Sequence, residues 1–146
     1  MRNIAVFICR LVLAVVFLWA SIPKIIAPHE FAVAVFRYQL LPDGVINLMA
    51  IFLPWIELVA AIAILIPRRS DGAAAILFGL LAVFTVAIAI DLLRGINISC
   101  GCFTLKADAG PIGWGEVIRD VGLMVVAGFV LWASLRSRFY PASCRN

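Results

Sequence analysis

The residues with the clearest capacity for chemistry lie in one short polar segment. Cys100 and Cys102 are separated by a single glycine. Residues two apart close only a tight, strained ring, and Gly101 supplies the backbone freedom that such a ring needs. Strained or exposed disulfides are the labile ones, and so small a loop adds little stability. The pair therefore predicts thiol–disulfide exchange. Cu(I) binding and two separate structural thiols are the alternative interpretations.

Charged residues flank this segment on both sides. Asp91 and Arg94 precede it, and Arg119 and Asp120 follow it. A neighbouring guanidinium stabilises a thiolate, so Arg94 and Arg119 are candidates for tuning the cysteines. Asp91 and Asp120 are candidates for anchoring the loop to the rest of the protein. A salt-bridge network without chemistry is the alternative interpretation.

Two further ionisable residues, Arg10 and Glu57, lie inside long apolar runs. Such residues usually face the interior of a helix bundle and have a partner there. At 1.5 Å per residue, Arg10 and Glu57 lie roughly 9 and 13 Å from the same end of their runs. We therefore predict an Arg10–Glu57 pair or a shared polar network, whose role is either functional or limited to helix packing.

The composition indicates what positions these residues. Of the 146 residues, 65% are hydrophobic and 14% are charged, against about half and a quarter in soluble domains. Four segments, approximately 4–22, 45–66, 73–93 and 117–135, are long enough to cross a bilayer as helices. Arg10 interrupts the first run, which favours a retained helix over a cleaved signal. We predict an all-α integral membrane protein, a four-transmembrane-helix bundle forming one domain over residues 1–146.

Segment 29–41 is shorter and amphipathic. Phe31, Val35 and Tyr38 fall near helical spacing. This pattern predicts a short helix in the membrane interface with its apolar side toward lipid or the bundle. It is either a lid near the cysteines or a connecting helix.

The basic residues predict the orientation. The formal net charge is +4, and because these charges flank apolar runs they indicate topology rather than nucleic-acid binding. One set of segments holds Arg2, Arg68, Arg69, Arg136, Arg138 and Arg145, and the other holds Lys24, Arg37, Arg94 and Lys106. The richer set predicts cytoplasmic N- and C-termini. The cysteine loop is then extracytoplasmic, on the oxidising side of a bacterial inner membrane.

Several segments resemble one family. Leu93-Arg94-Gly95 followed by Cys100-Gly101-Cys102-Phe103, the 53–57 segment Leu-Pro-Trp-Ile-Glu and the 112–123 segment around Arg119-Asp120 resemble the MauE proteins of methylamine utilisation, which are related to DoxX-like proteins. The resemblance covers nearly the whole chain.

The resemblance implies an inner-membrane protein that acts with a thioredoxin-like partner in the maturation of methylamine dehydrogenase. Since Cys9 and Cys144 are predicted on the other side from Cys100 and Cys102, no second outward cysteine pair is available. A membrane quinone is therefore the candidate second electron carrier, with the direction of electron flow left open, and no metal ligand set is predicted. The alternative functions are a non-enzymatic maturation scaffold and a Cu(I)-binding protein.

Overall fold

The structure, a computed structural model, describes residues 2–38, 42–95 and 114–139. These residues form α1 (Arg2–Ile26), α2 (Pro28–Arg37), α3 (Asp43–Ala63), α4 (Ser70–Arg94) and α5 (Trp114–Phe139). Four of the helices hold apolar spans long enough to cross a bilayer: Ile4–Ile26, Gly44–Ala63, Ser70–Arg94 and Trp114–Arg136. The prediction of an all-α membrane protein with four transmembrane helices and one short helix is confirmed.

The first helix is longer than the sequence predicts. A proline lacks a backbone donor, so Pro23 predicts an end at residue 22. Instead α1 passes through Pro23 and ends at Ile26, and the N–H of Ala27 still donates to the carbonyl of Pro23 at 3.0 Å. Transmembrane helices tolerate proline where neighbouring helices and local adjustments satisfy the freed groups. As a result Lys24 lies in the last turn of a helix rather than in a loop.

The fourth helix ends at a glycine. Gly95 has φ of 68° and ψ of 20°, in the left-handed region, and its N–H points to the carbonyls of Asp91 and Leu92. Glycine adopts this conformation without strain, which makes it the usual residue after a helix end. Helix α4 therefore ends just before the cysteine segment. Residues 96–113, including Cys100 and Cys102, lie outside the described residues.

The core is built from small residues. Half of the twelve residues in the main buried cluster are alanines, contributed by α1, α3, α4 and α5. Small side chains let helix backbones approach closely, which favours helix association in lipid. Large apolar side chains such as Trp19, Val59 and Val125 instead point outward, each more than 60% exposed. This distribution is expected when the surrounding solvent is hydrocarbon.

The bundle has two distinct ends. Hydrogen bonds from Arg10 to Ser134 and between Ser134 and Ser70 bring together the starts of α1 and α4 and the end of α5. We call this the Arg10 end. The opposite end, where α1 and α4 stop and α5 begins, we call the Lys24 end. Helix α2 packs at this end against α3, with Phe31 buried beside Ala50. The predicted amphipathic helix thus uses its apolar side to cover the bundle.

Candidate functional site

A buried ion pair lies at the centre of the Lys24 end. The ammonium Nζ of Lys24 donates to both carboxylate oxygens of Glu57, each at 2.9 Å. The two side chains are 2% and 1% exposed. A buried pair of this kind persists only when its geometry repays the cost of removing both charges from water. Symmetric contact with both oxygens meets that requirement for Glu57.

The directions of the two helices explain how Lys24 reaches Glu57. Side chains on a helix lean toward its N-terminus. Lys24 lies in the last turn of α1, so its long stem points back into the bundle. Glu57 lies on α3, which runs the other way, and leans toward Lys24. The two side chains therefore meet although Lys24 lies near the end of its span and Glu57 lies well inside its own.

Two aromatic rings complete the surroundings of the ammonium. The Lys24 Nζ lies 5.2 Å from the ring centroid of Phe31 on α2 and 5.0 Å from that of Phe84 on α4. Aromatic faces attract a cation, and more strongly where water is excluded. Lys24 also lines a cavity of about 20 Å³ with Asp120 on α5, and the two charges interact electrostatically. One α1 side chain thus meets groups from all four other helices.

The predicted Arg10–Glu57 pair is wrong. Arg10 lies at the opposite end and donates from Nη2 to the hydroxyl of Ser134 at 3.1 Å. Ser134 lies 3.4 Å from the hydroxyl of Ser70, which donates to the carbonyl of Pro67. Depth along the apolar runs did not distinguish between the two possible cations. The missed partner, Lys24, was detectable only as a cation immediately after a presumed helix stop.

Asp91 and Asp120 are both buried at the Lys24 end, but their environments differ. Asp120 is 3% exposed and accepts from Nε and Nη2 of Arg119 at 3.1 and 3.0 Å. Asp91 is 0% exposed, and neither of its oxygens has a hydrogen-bond partner among the described residues. Arg94 attracts it electrostatically but is itself exposed. The structure therefore brings Asp91 and Asp120 to one end of the bundle, where Asp91 has no donor among the described residues.

The pKa of Tyr38 reflects how close the acidic residues of this end lie to one another. Burial raises the pKa of Tyr38 above its ordinary value of 10.0, and the charges of Asp91, Glu116 and Asp120 raise it further. Those groups come from α4 and α5, whereas Tyr38 follows α2. Within the described part of this end, three buried carboxyl groups, those of Glu57, Asp91 and Asp120, thus accompany one buried ammonium. Such an excess of acid in a protein interior can hold protons or stabilise an incoming cationic or hydrogen-bond-donating group.

The remaining candidates are dispersed. Cys9 is a free, partly buried thiol that packs against the apolar core, and His29 is exposed on α2. Among the described residues no group of three or more His, Cys, Asp or Glu side chains could hold a metal ion. The predicted roles of Arg94 and Arg119 toward Cys100 and Cys102 concern residues on both sides of the undescribed segment and stay predictions.

Comparison with known proteins gives one consistent family. The model of the family "Methylamine utilisation protein MauE" matches residues 2–133. The chain is 36% identical over 129 residues to the methylamine utilization protein MauE of Methylophilus methylotrophus, covering 88% of this chain and 67% of that protein. It is 35% identical over 121 residues to that of Paracoccus denitrificans, covering 81% and 63%.

The matched segments therefore span about two thirds of the length of these relatives. No solved structure matches the chain. The family match includes all of α1 to α4 and most of α5, so the ion pair and the buried acids lie within the shared region. The chain belongs to the MauE family.

Proposed function

We propose that this protein is a thiol–disulfide redox protein of a bacterial inner membrane that acts in methylamine utilisation. Its family and its relatives carry that process in their names. Its substrate would be a periplasmic protein of the methylamine dehydrogenase kind, matured with a thioredoxin-like partner. One observation carries the redox part of the proposal. In the sequence, Cys100 and Cys102 come six and eight residues after Arg94, the last residue of α4, and the last turn of that helix holds the buried carboxyl of Asp91, which has no donor among the described residues.

The proposed exchange balances without another reactant. One loop thiolate attacks a disulfide of the thioredoxin-like partner, a mixed disulfide forms, and one partner sulfur leaves as a thiolate that takes up a proton. The second loop cysteine then displaces the partner. The loop pair becomes a disulfide, and the partner leaves as a dithiol after two electrons and two protons have moved. The reverse sequence oxidises the partner.

The Lys24 end supports these steps through its charges. The carboxyl of Asp91 is the candidate acceptor for the proton that the attacking thiol releases. Arg119 is 38% exposed and forms a salt bridge with Asp120, which offsets much of its positive charge. Arg94 has no such contact among the described residues and lies in the last turn of α4. It is the better candidate for stabilising the thiolate.

The cavity beside Lys24 and Asp120 is too small for a quinone. Its volume is about 20 Å³, which is close to the space that one water molecule requires. A quinone ring is far larger. We therefore propose no electron-transfer step through a quinone in this cavity.

The orientation is part of the proposal, and labelling tests it. Arg68 and Arg69 in the turn before α4 and Arg136 near the end of α5 support cytoplasmic termini. In intact cells, a membrane-impermeant maleimide should then label reduced Cys100 and Cys102 but not Cys144. Labelling of Cys144 alone would show the opposite orientation and would remove the oxidising environment from the proposal.

Trapping tests the redox step directly. Cys100→Ser and Cys102→Ser should each lose exchange activity, and the variant that retains the attacking thiol should accumulate a mixed disulfide visible on non-reducing gels. Cys9→Ser is the matched control, because Cys9 packs against the apolar core, and it should behave like the wild type.

Alkylation mass shifts under reducing and oxidising conditions provide the second readout. If the loop pair stays in one redox state and the double variant still supports maturation, the protein is a maturation scaffold instead. Stoichiometric copper in the purified protein, lost in the double variant, would indicate the Cu(I) alternative.

A further inference from the structure

A groove lies between α3 and α4 on the outer surface of the bundle, toward the Arg10 end. Its volume is about 530 Å³, within the range of roughly 300–1,000 Å³ that is usual for pockets of small molecules. Its walls are almost entirely apolar and include Trp55, Val59 and Ile76. Neither the buried ion pair nor the acids of the Lys24 end line it. The groove is therefore separate from the site described above.

One end of the groove is positively charged. Arg69 is its charged lining residue, and it occupies the position just before the span Ser70–Arg94. A residue at the end of a membrane span is expected at the boundary between hydrocarbon and headgroups. The exposed Arg68 lies beside it in the chain. Helix α4 begins at this point without a side-chain cap, so the positive end of its dipole adds to the field. Asp71 has an interaction of its own and does not line the groove.

We propose that this groove binds one anionic phospholipid, with its phosphate at Arg69 and an acyl chain along the apolar walls. Two features favour that occupant. The charge lies at headgroup depth, where a lipid phosphate resides, and the walls below it are suited to a hydrocarbon chain. A soluble anion would gain no binding energy from the apolar walls, and a protein segment would need hydrogen-bond partners for its backbone groups there.

Trp55 makes the occupant measurable. Its ring lines the groove and is 53% exposed, so a brominated acyl chain in the groove should quench its fluorescence. The difference between the wild type and Trp55→Phe isolates this signal from the other three tryptophans. The protein is reconstituted in phosphatidylcholine vesicles that contain a small fraction of brominated phosphatidylglycerol or brominated phosphatidylcholine.

The phosphatidylglycerol probe should quench Trp55 with about fivefold higher apparent affinity, since one basic residue near an anionic lipid contributes about 1 kcal/mol. Arg69→Gln should abolish that preference. Arg68→Gln is the matched control and should retain most of it. Equal losses in the two variants would indicate diffuse surface attraction and would overturn a defined site.

Two glycines of α4 give a steric test that preserves folding. Gly72 lines the groove, whereas Gly79 does not, and a Cβ added at either position meets no atom within 4 Å. Both substitutions to leucine raise helix propensity. Gly72→Leu should reduce the quenching of Trp55 at least threefold, and Gly79→Leu should leave it unchanged. Equal quenching in all variants would overturn the proposal.

Competition with the brominated lipid distinguishes an anionic phospholipid from other ligands of the groove. An added isoprenoid quinone at equimolar concentration should leave the quenching unchanged. Its displacement of the brominated lipid would show that the groove is a quinone site. Equal quenching by the phosphatidylglycerol and phosphatidylcholine probes would show unselective lipid contact. Either result overturns the choice of an anionic phospholipid, and neither affects the proposed thiol chemistry.

Discussion

The two ends of the bundle differ in the partners that they provide for buried cationic side chains. At the Arg10 end a single guanidinium meets the neutral hydroxyl of Ser134, which in turn approaches Ser70. At the Lys24 end an ammonium meets the full charge of Glu57, and further buried acids gather nearby. A core of alanine, leucine and other apolar side chains separates the two ends.

The difference indicates where function resides. Ionisable groups in a membrane interior are expensive and are retained mainly when they act or when they hold helices together. The Arg10 end holds its helices through contacts with neutral groups, and the buried Nε of Arg10 has no hydrogen-bond partner among the described residues. The Lys24 end holds more buried carboxyl groups than buried cations among the described residues. Packing alone gains nothing from Asp91, whose carboxyl has no donor among those residues. The Lys24 end is therefore the better candidate for chemistry.

The largest expected effect comes from breaking the Lys24–Glu57 pair. Lys24→Met leaves the carboxylate of Glu57 buried without its partner, which should lower the free energy of unfolding by about 3–5 kcal/mol. Thermal unfolding in detergent micelles measures the loss. The double variant Lys24→Met/Glu57→Leu should recover most of it, because neither charge of the pair is then left buried alone. A double variant as unstable as the single one would show that packing, rather than charge, sets the stability here.

Asp91 and Asp120 provide a matched comparison within the Lys24 end. Asp91→Asn removes a charge that has no donor among the described residues, so the free energy of unfolding should rise by about 1 kcal/mol. Asp120→Asn weakens the contact with Arg119 and should lower it by a similar amount. Chemical denaturation of both variants measures whether the free energy of unfolding rises or falls in each. Destabilisation by Asp91→Asn would mean that the carboxylate is held by a partner beyond the described residues.

Much of the scaffold is predictable because it follows from composition and length. The four spans depend on runs of about twenty apolar residues, and the α2 prediction depends on helical spacing around Phe31. The ends of the helices are less predictable. Pro23 predicts a helix end in the sequence, but a transmembrane helix continues when its neighbours compensate for the missing donor. The true end, three residues later at Ile26, places Lys24 inside the bundle.

The ion pair was only half predictable, since Glu57 is conspicuous in its apolar run but its partner is not. Which cation reaches Glu57 depends on the rotation of α1 about its axis and on the backward lean of its side chains. Neither quantity follows from counting residues along a span. The surroundings of Asp91, which has no donor among the described residues, likewise depend on the three-dimensional packing. The sequence places an acid at the end of α4, but only the packing shows what surrounds it.

The contact between Arg10 and Ser134 should be worth less than the ion pair. Ser134→Ala removes the acceptor of Nη2 and should lower the free energy of unfolding by about 1 kcal/mol. Arg10→Met and the double variant complete a double-mutant cycle in detergent. The coupling energy should be about 0.5–1.5 kcal/mol, well below that of Lys24 and Glu57. A coupling as large as that of the ion pair would erase the distinction between the two ends.

The smallest expected effect is a shift in the pKa of Tyr38, which responds to the charge of Asp91. The variant Tyr140→Phe leaves Tyr38 as the only tyrosine, and its absorbance at 295 nm should show no ionisation near pH 10.0 while the protein is folded, because the pKa of Tyr38 is raised. The raised pKa also determines how the stability depends on pH. A phenol whose pKa rises on folding stabilises the protein below pH 10.0, and that contribution is lost at higher pH.

Adding Asp91→Asn to that variant turns Tyr38 into a probe. If Asp91 is ionised, removing its charge lowers the pKa of Tyr38, although burial, the larger cause, keeps it above 10.0. The ionisation step then moves to lower pH, as it also should with Asp120→Asn, whose carboxyl accepts two hydrogen bonds from Arg119. If Asp91 instead carries a proton, its substitution leaves the Tyr38 titration unchanged while Asp120→Asn still shifts it. That outcome would mean that the Lys24 end already stores a proton at Asp91, so the group would serve the cysteines as a donor rather than as an acceptor.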